Sequence, residues 1–348
     1  MKLSQLGEFG LISRAKEIFI PSDKEGVVVG IGDDCAAIKP REGFLLIATA
    51  DVLIENIHFK LDYIKPYQLG IKSININLSD IAAMGGIPLY ALLSIAVPQN
   101  ISVNFMDDFF KGVKDGAKRF KVSIIGGNVS SSKNEFSINM TVLGEAEEKY
   151  MPLRKGAKAG DKIFVTGYLG DSAAGLKILK KGQGARGKGR EKLINKHLMP
   201  TPRLEEGRFL AVKKLATSMI DISDGLASDI RRICEESKVG ANIFIKNIPI
   251  SKELKNFTSS QLKTRGTHPA DGSSKLITSL DFALYGGEDY ELLFTIKHEN
   301  VRKLKSLWKN MKTPITMIGE ITKMGINLVN ADGKAIPLTK EGYNHFKG

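Results

Sequence analysis

Residues 67–98, YQLGIKSININLSDIAAMGGIPLYALLSIAVP, decide the fold class. Ile71, Ile74, Leu78 and Ile81 recur at spacings of three and four, which predicts a helix over Tyr67–Met84 with a buried apolar stripe. Gly85 and Gly86 stop that helix, and Tyr90–Val97 reads as a strand ending at Pro98. Upstream, strands are expected at Val27–Gly30 and Phe44–Thr49, after an irregular lead-in with a short helical stretch at Leu11–Ile18. Downstream, a helix over Val103–Phe120 carries Met106, Phe110, Val113, Ala117 and Phe120 on one side. A short strand Val122–Ile125 runs into Gly126-Gly127, and Phe136, Ile138, Met140 and Val142 alternate as in a half-buried strand. Strands and helices mixed in this way predict an α/β or α+β domain.

Between Glu145 and Lys162 the chain becomes charged and loop-like, so the domain boundary is expected there, with residues 1–148 in one domain and 149–348 in a second. The second half predicts strands at Lys162–Thr166, Ser218–Ile222, Ala241–Ile245, Tyr290–Ile296 and Thr316–Ile321. Helices are expected from Asp171-Ser172, over Leu204–Leu215 and over Gly225–Ser237. Residues 252–278 are polar and read as a variable loop with some helix. Trp308 reads as a packing residue.

Composition narrows the function. The net charge of +13 favours anionic partners, either nucleic acid or phosphorylated small molecules. No zinc-finger spacing, ribonucleoprotein strand signature or basic region with heptads is present, so nucleic acid is not expected. The densest basic stretch, Lys180–Lys192, is glycine-rich and reads as a mobile, solvated insertion. The longest apolar runs, such as Ala91–Val97, are too short to span a membrane, and the start MKLSQLGEFG lacks an apolar signal region. Two cysteines, Cys35 and Cys234, build neither a disulfide framework nor a zinc site, so a cytoplasmic location is expected.

Familiar catalytic patterns fail. Gly182 to Lys188 has the spacing of a phosphate loop, but Gly189 stands where a Ser or Thr would bind magnesium. Gly30-Ile-Gly32 opens like a dinucleotide fingerprint, but Cys35 replaces its third glycine. The five histidines have no paired ligand spacing. What remains is a set of acidic turns: Gly32-Asp33-Asp34, Thr49-Ala50-Asp51, Leu78-Ser79-Asp80, Asp221-Ile-Ser-Asp224-Gly225 and Gly286-Gly287-Glu288-Asp289. Each alone is a common turn. Together, carboxylates without His or Cys suit hard cations such as magnesium, which takes one or two carboxylates plus substrate phosphates.

The stretches GIGDDCA, TADVLIENIHF, NLSDIAAMGG, VTGYLGDSAAGL, MIDISDGLASDI and LYGGEDYELLF occur in this order. With them the chain resembles the thiamine-monophosphate kinases, relatives of aminoimidazole ribonucleotide synthetase, selenophosphate synthetase and a hydrogenase maturation protein. The resemblance runs from Gly7-Glu8-Phe9 to Tyr343-Asn-His-Phe346. It implies an N-terminal α/β domain whose sheet pairs across a homodimer into a β-barrel, a C-terminal α/β domain, and an active site between them. The implied reaction is ATP-dependent phosphorylation of thiamine monophosphate with several magnesium ions. Asp33, Asp34, Thr49, Asp51, Asp80, Asn128, Asp221 and Asp224 fall at implied metal positions. Phe110, Gly127, Asn128, Arg154 and Ser223 fall at ATP positions, and His58, Glu288 and Tyr343 at substrate positions. The transfer itself is expected to depend on Asp224 and Arg154.

Plain alternatives stand beside these roles: a core histidine at His58, a surface charge at Arg154 and a packing residue at Tyr343. A non-catalytic nucleotide-binding relative, or a related enzyme with another phosphate acceptor, remain as rival readings. Selenophosphate synthetases carry an N-terminal reactive Cys and Lys, and the maturation protein ends in Cys, whereas this chain ends in His345-Phe-Lys-Gly348. The chain also departs from the kinase pattern. Asn128 stands where the family has Asp, and Ala50 where it has Thr or Ser, so one magnesium shared by these positions and Asp51 is expected to bind weakly.

Overall fold

The structure, a computed structural model, describes residues 14, 17, 18, 27–29, 37, 38, 41–182, 187–264, 278–340 and 342. The helical stretch expected at Leu11–Ile18 lies mostly outside them, and Asp33, Asp34 and Tyr343 lie wholly outside them. The chain divides into two compact units, Met1–Ile81 with Gly86–Met151, and Ala82–Gly85 with Pro152–Gly348. Both are mixed α/β.

In the first unit, β1 (Val27–Val29) and β2 (Ala37–Ile38) pair antiparallel. Four longer strands form one sheet: β3 (Leu45–Ile54), β4 (Ile87–Pro98), β5 (Ser123–Ser132) and β6 (Ser137–Ala146), in the order β3-β6-β4-β5. Helix α1 (Pro66–Ala83) precedes β4, and helix α2 (Val103–Arg119) makes the crossover between the parallel strands β4 and β5. The two helices touch backbone to backbone. A Cβ on Gly70 would lie 2.2 Å from the Phe109 carbonyl, and one on Gly112 would lie 2.1 Å from the Tyr67 carbonyl. Phe59, Phe105 and Phe109 close edge-on around Phe136 at 5.5–6.3 Å.

Two expectations need correction here. The strand entering Gly126-Gly127 does not stop there but continues to Ser132. It survives the glycines through a bulge opposite Ala91/Leu92, where a Cβ on Gly127 would stand 1.8 Å from the Leu93 carbonyl. Helix α1 is also buried beyond its apolar stripe, since Lys72, Ser73, Asn75, Asn77 and Ser79 are all buried. Some of these polar groups bond locally: Ser73 Oγ donates to the Gly70 carbonyl at 2.9 Å, and Asn77 Nδ2 donates to the Ser73 carbonyl at 3.0 Å.

The second unit holds a seven-stranded sheet. Its strands are β7 (Lys162–Thr166), β8 (Ala216–Asp221), β9 (Gly240–Phe244), β10 (Leu292–Ile296), β11 (Ile315–Thr322), β12 (Ile326–Val329) and β13 (Ala335–Pro337), in the order β13-β12-β9-β11-β7-β10-β8. The helices are α3 (Asp171–Lys180), α4 (Lys188–Leu198), α5 (Leu204–Val212), α6 (Leu226–Ser237), α7 (Lys252–Thr264), α8 (Ser279–Tyr285) and α9 (Val301–Leu307). The core joins α6 to strands β7, β8, β9 and β10 through Leu226, Ile230 and Ile233 with Val165, Ile220, Ile243 and Leu293. Trp308 is buried, and its Nε1–H donates to the Thr313 carbonyl at 2.7 Å.

The basic stretch Lys180–Lys192 is not a loop throughout. Its second half starts α4, whose Leu193, Ile194, His197 and Leu198 are buried. Lys192 Nζ ties it to Glu253 Oε1 on α7 at 2.7 Å. Residues 183–186 lie outside the described part. Residues 252–264, inside the expected loop, form α7. Among the described residues no helix is long and apolar enough to cross a membrane.

Candidate functional site

In the second unit, two acidic turns far apart in sequence lie side by side. Strand β8 ends at Asp221 and β10 starts at Leu292, and these residues are antiparallel partners. The pairing continues past both strand ends. Ile222 N–H donates to the Glu291 carbonyl (2.8 Å), Tyr290 N–H to Ile222 (2.9 Å) and Glu288 N–H to Ser223 (2.7 Å). Asp221, Ser223, Asp224 and Glu288 are thereby brought to one end of the sheet. Glycine makes the approach possible: a Cβ on Gly287 would lie 2.5 Å from the Ser223 carbonyl, and one on Gly225 (φ 103) would lie 2.9 Å from the Gly286 carbonyl. Glu288 (φ 64) and Tyr290 (φ 51) are both left-handed, a costly conformation for side-chain-bearing residues.

Ion pairs organise the Asp224 turn. Asp229, fully buried on the first turn of α6, accepts the Asp224 backbone N–H at 3.2 Å. Arg232 Nη1 donates to Asp229 at 3.0 Å, while its Nη2 pairs with Asp224. Burial pushes the Asp229 carboxyl up to about 7, against the pull of Arg232; Asp224 pushes it further up, and Arg154 pulls it down. Arg154 is exposed, and its carbonyl accepts Ser237 Oγ at 3.1 Å. Tyr343 lies outside the described residues; Gly342 donates its N–H to Ser228 Oγ at 2.8 Å, and a Cβ there would lie 2.0 Å from the Asp224 carbonyl.

Buried polar groups adjoin this turn, and one of them, His197, reaches Glu288. His197, 1 % exposed, places Nδ1 3.0 Å from Glu288 Oε2 and 3.2 Å from Ser172 Oγ. Asp289 accepts the backbone N–H groups of Gly170 (2.6 Å) and Ser172 (3.3 Å) at the start of α3. Burial holds the Asp289 carboxyl well above the usual carboxylate range, although those N–H groups oppose the shift. Asp171, also pushed up by burial, accepts Ser251 Oγ at 2.6 Å. Glu291 is buried against Arg203, with Nε at 2.6 Å, and accepts Thr166 Oγ1 at 2.7 Å. Burial pushes Glu291 up, but Arg203 outweighs it and the carboxylate stays charged.

In the first unit, β3 and α1 present a second oxygen-rich group. Thr49 Oγ1 donates to Asp80 Oδ2 at 2.5 Å, and the Asp51 backbone N–H donates to Asn77 Oδ1 at 3.0 Å. His58 is a turn residue: its Nδ1 accepts the Ile54 N–H at 3.0 Å. Phe110 is buried against Phe109, with ring centroids 5.7 Å apart, and stands among the core residues of α2. Asn128 is exposed on β5, at the opposite edge of the sheet from β3. Asp51 shares a row with Met140, Leu93 and Gly127, and Asn128 belongs to the next row, with Val52, Asn139 and Ser94. Three strand steps of about 4.8 Å separate those edges by roughly 14 Å. Within one chain, then, Asn128 and Asp51 stand on opposite edge strands of this sheet.

Among the described residues no three His, Cys, Asp or Glu side chains form a metal cluster. The donors present nonetheless suit magnesium. Thr49, Asp51 and Asp80 offer oxygen donors, and magnesium needs no more than one or two protein carboxylates when phosphates and water supply the rest.

The AIR synthase related protein family matches in two parts, its N-terminal domain over residues 32–146 and its C-terminal domain over residues 158–328. The thiamine-monophosphate kinase of Buchnera aphidicola subsp. Schizaphis graminum (strain Sg) is 40% identical over 348 residues, covering 98% of this chain and 99% of that protein. The chain belongs to the thiamine-monophosphate kinase family. The Bacillus subtilis (strain 168) member is 37% identical, covering 92% of this chain and 94% of its own. Among solved structures, the thiamine-monophosphate kinase from Stenotrophomonas maltophilia K279a superposes with a TM-score of 0.79 at 30% identity, covering 94% and 96% of the two chains. AaThiL complexed with AMPPCP and TMP gives 0.74 at 33% identity, covering 99% of each.

In this thiamine-monophosphate kinase family member, Asn77, Asp229, Arg232 and His197 touch the motif residues although no motif points to them. Asp229 and Arg232 carry a readable signal, since they lie three apart on a helix that starts directly after the Ser-Asp-Gly turn. His197 carries none, because its partners come from residues 172 and 288.

Proposed function

We propose that this chain transfers the γ-phosphoryl group of ATP to thiamine monophosphate, giving thiamine diphosphate and ADP. The observation that carries this reading is the zipped pair of acidic turns, which sets Asp221, Ser223 and Asp224 beside Glu288. Relatives at 36–40% identity over nearly the whole chain are thiamine-monophosphate kinases, and a neighbour of the same fold is complexed with AMPPCP, an ATP analogue, and TMP.

The chemistry asks for little covalent help. The acceptor phosphate has a second pKa of about 6, so at neutral pH it attacks without a general base. One of its oxygens bonds to the γ-phosphorus as the bond to the ADP oxygen breaks, in line and without a phosphoenzyme. Two anions must meet, so the site must hold them in place and offset their repulsion. Asp51, Asp80, Asp221 and Asp224, with Thr49, are the residues that would hold magnesium, and Asp33 and Asp34 join them by resemblance. Magnesium, when bound, supplies positive charge to the polyphosphate. Arg154 and Ser223 would bind the nucleotide, and Glu288, positioned by His197, would orient the acceptor.

The same reading includes a homodimer. Strand β3 is an edge strand whose Leu45, Leu46 and Val52 are exposed, a surface suited to pairing into a barrel with a second copy. A cytoplasmic location belongs to the same reading.

The test is direct. Purified protein, ATP, magnesium and thiamine monophosphate should yield thiamine diphosphate and ADP one for one, and Asp224→Asn should lose most of that rate. ATP hydrolysis with no thiamine diphosphate would overturn the reading.

A further inference from the structure

Arg232 has no role in the reaction as described so far, yet its place is unusual. It stands on α6 with one arm of its guanidinium on each of two carboxylates, Nη1 on Asp229 at 3.0 Å and Nη2 on Asp224. Its charge also acts on Asp221. The two ends of this bridge differ. Asp229 is fully buried, and its second oxygen is occupied by the Asp224 backbone N–H at 3.2 Å. That end is a fixed anchor, since stripping a buried carboxylate of its partner is costly. At the other end the Asp224 side chain is 25 % exposed and the Arg232 side chain 38 % exposed. That end is able to open into solvent.

Electrostatics gives the bridge a purpose. Asp221 at the end of β8, Asp224 in the turn and Asp229 on α6 lie within nine residues, and their mutual repulsion must be offset whether or not a metal is bound. A guanidinium and a hard divalent cation compete for the same carboxylate oxygens of Asp224, and they repel each other.

We propose that Arg232 is the resident countercharge of this turn: it holds Asp224 while no divalent cation is bound and releases it, staying anchored on Asp229, when a cation arrives. The proposal rests on the kinase reading in one respect, that Asp221 and Asp224 are cation ligands. Arg232 is thus a positioning residue, which keeps Asp224 in place between turnovers.

The test uses Mn2+ as the probe, followed by electron paramagnetic resonance on the full-length, nucleotide-free protein. Arg232→Gln removes the competitor, so Mn2+ should bind about two- to fivefold tighter than to wild type, the range expected for a partly exposed ion pair. Without divalent cation Arg232→Gln should also melt below wild type, and the gap should narrow as Mn2+ is added, because the metal replaces the lost charge. Equal Mn2+ affinity, or a melting gap that Mn2+ leaves unchanged, would overturn the proposal. Should Arg232→Gln fail to fold, Arg232→Lys carries the test, since one ammonium group keeps the charge but does not bridge both carboxylates. Tighter Mn2+ binding there supports the proposal, and unchanged binding sinks it. Wild-type turnover is measured separately. Turnover with unaltered Mn2+ affinity in the variants overturns this inference alone, whereas no turnover overturns the kinase reading.

Discussion

The backbone N–H of Glu288 donates to the carbonyl of Ser223 at 2.7 Å, joining two turns that are separated by about a third of the second unit's chain. This bond extends the β8–β10 ladder beyond its formal end, so the same register that builds the sheet also sets Asp224 beside Glu288. Disturbing the register should therefore affect both stability and substrate handling.

Gly287→Ala tests that link. Its Cβ would lie 2.5 Å from the Ser223 carbonyl, and backbone on both sides leaves no flexible atom to yield. A loss of about 1–3 kcal/mol is expected from urea unfolding, together with a higher KM for thiamine monophosphate. An unchanged KM in a folded variant would show that the two turns do not act together.

Asp289 should impose a pH dependence on stability. Its folded-state pKa is raised by burial, so between the unfolded value of about 3.9 and that raised value the folded protein binds more protons than the unfolded chain. Its contribution is therefore most favourable at low pH and is lost as pH rises through this window. Asp289→Asn should flatten that slope while its side-chain oxygen still accepts from Gly170. Urea unfolding of both proteins from pH 4 to pH 8 measures the difference, and parallel profiles would contradict it.

The Arg203–Glu291 pair should behave as a buried ion pair. Arg203→Met leaves a carboxylate that is 1 % exposed without its main partner, and a loss of about 3–5 kcal/mol is expected. Adding Glu291→Leu should recover much of it, because the stranded charge is then gone. Denaturant midpoints of the two single variants and the double variant decide the matter.

Thr49→Val removes a 2.5 Å hydrogen bond to Asp80 and, in the proposed role, an oxygen donor. Loss of about 1 kcal/mol would raise the half-saturating magnesium concentration about fivefold. A magnesium titration of initial rates checks it, with a circular dichroism melt to show that the fold is intact.

Local pattern made much of the fold legible. The strand Lys162–Thr166 and the helix starting at Val103 fall where periodicity places them, because each is specified by neighbours within a few residues. The strand through Gly126-Gly127 was not legible. Glycine ordinarily breaks a strand, and only the bulge opposite β4 turns it into a requirement. The hairpin of β12 and β13 and the helix at Lys188–Leu198 were also missed, since glycine and lysine hid weak apolar patterns that tertiary packing completes.

The residues of the acidic turns, and the resemblance they carry, could be read from sequence alone, because short motifs keep their chemistry wherever the chain takes them. Which of those carboxylates stand together is a matter of sheet register, and register depends on distant strands. Asp224 beside Glu288, Thr49 on Asp80, and Asp51 some distance from Asn128 all follow from it. So do the hidden partners Asp229, Arg232 and His197, whose side chains matter only because folding buries them next to charge.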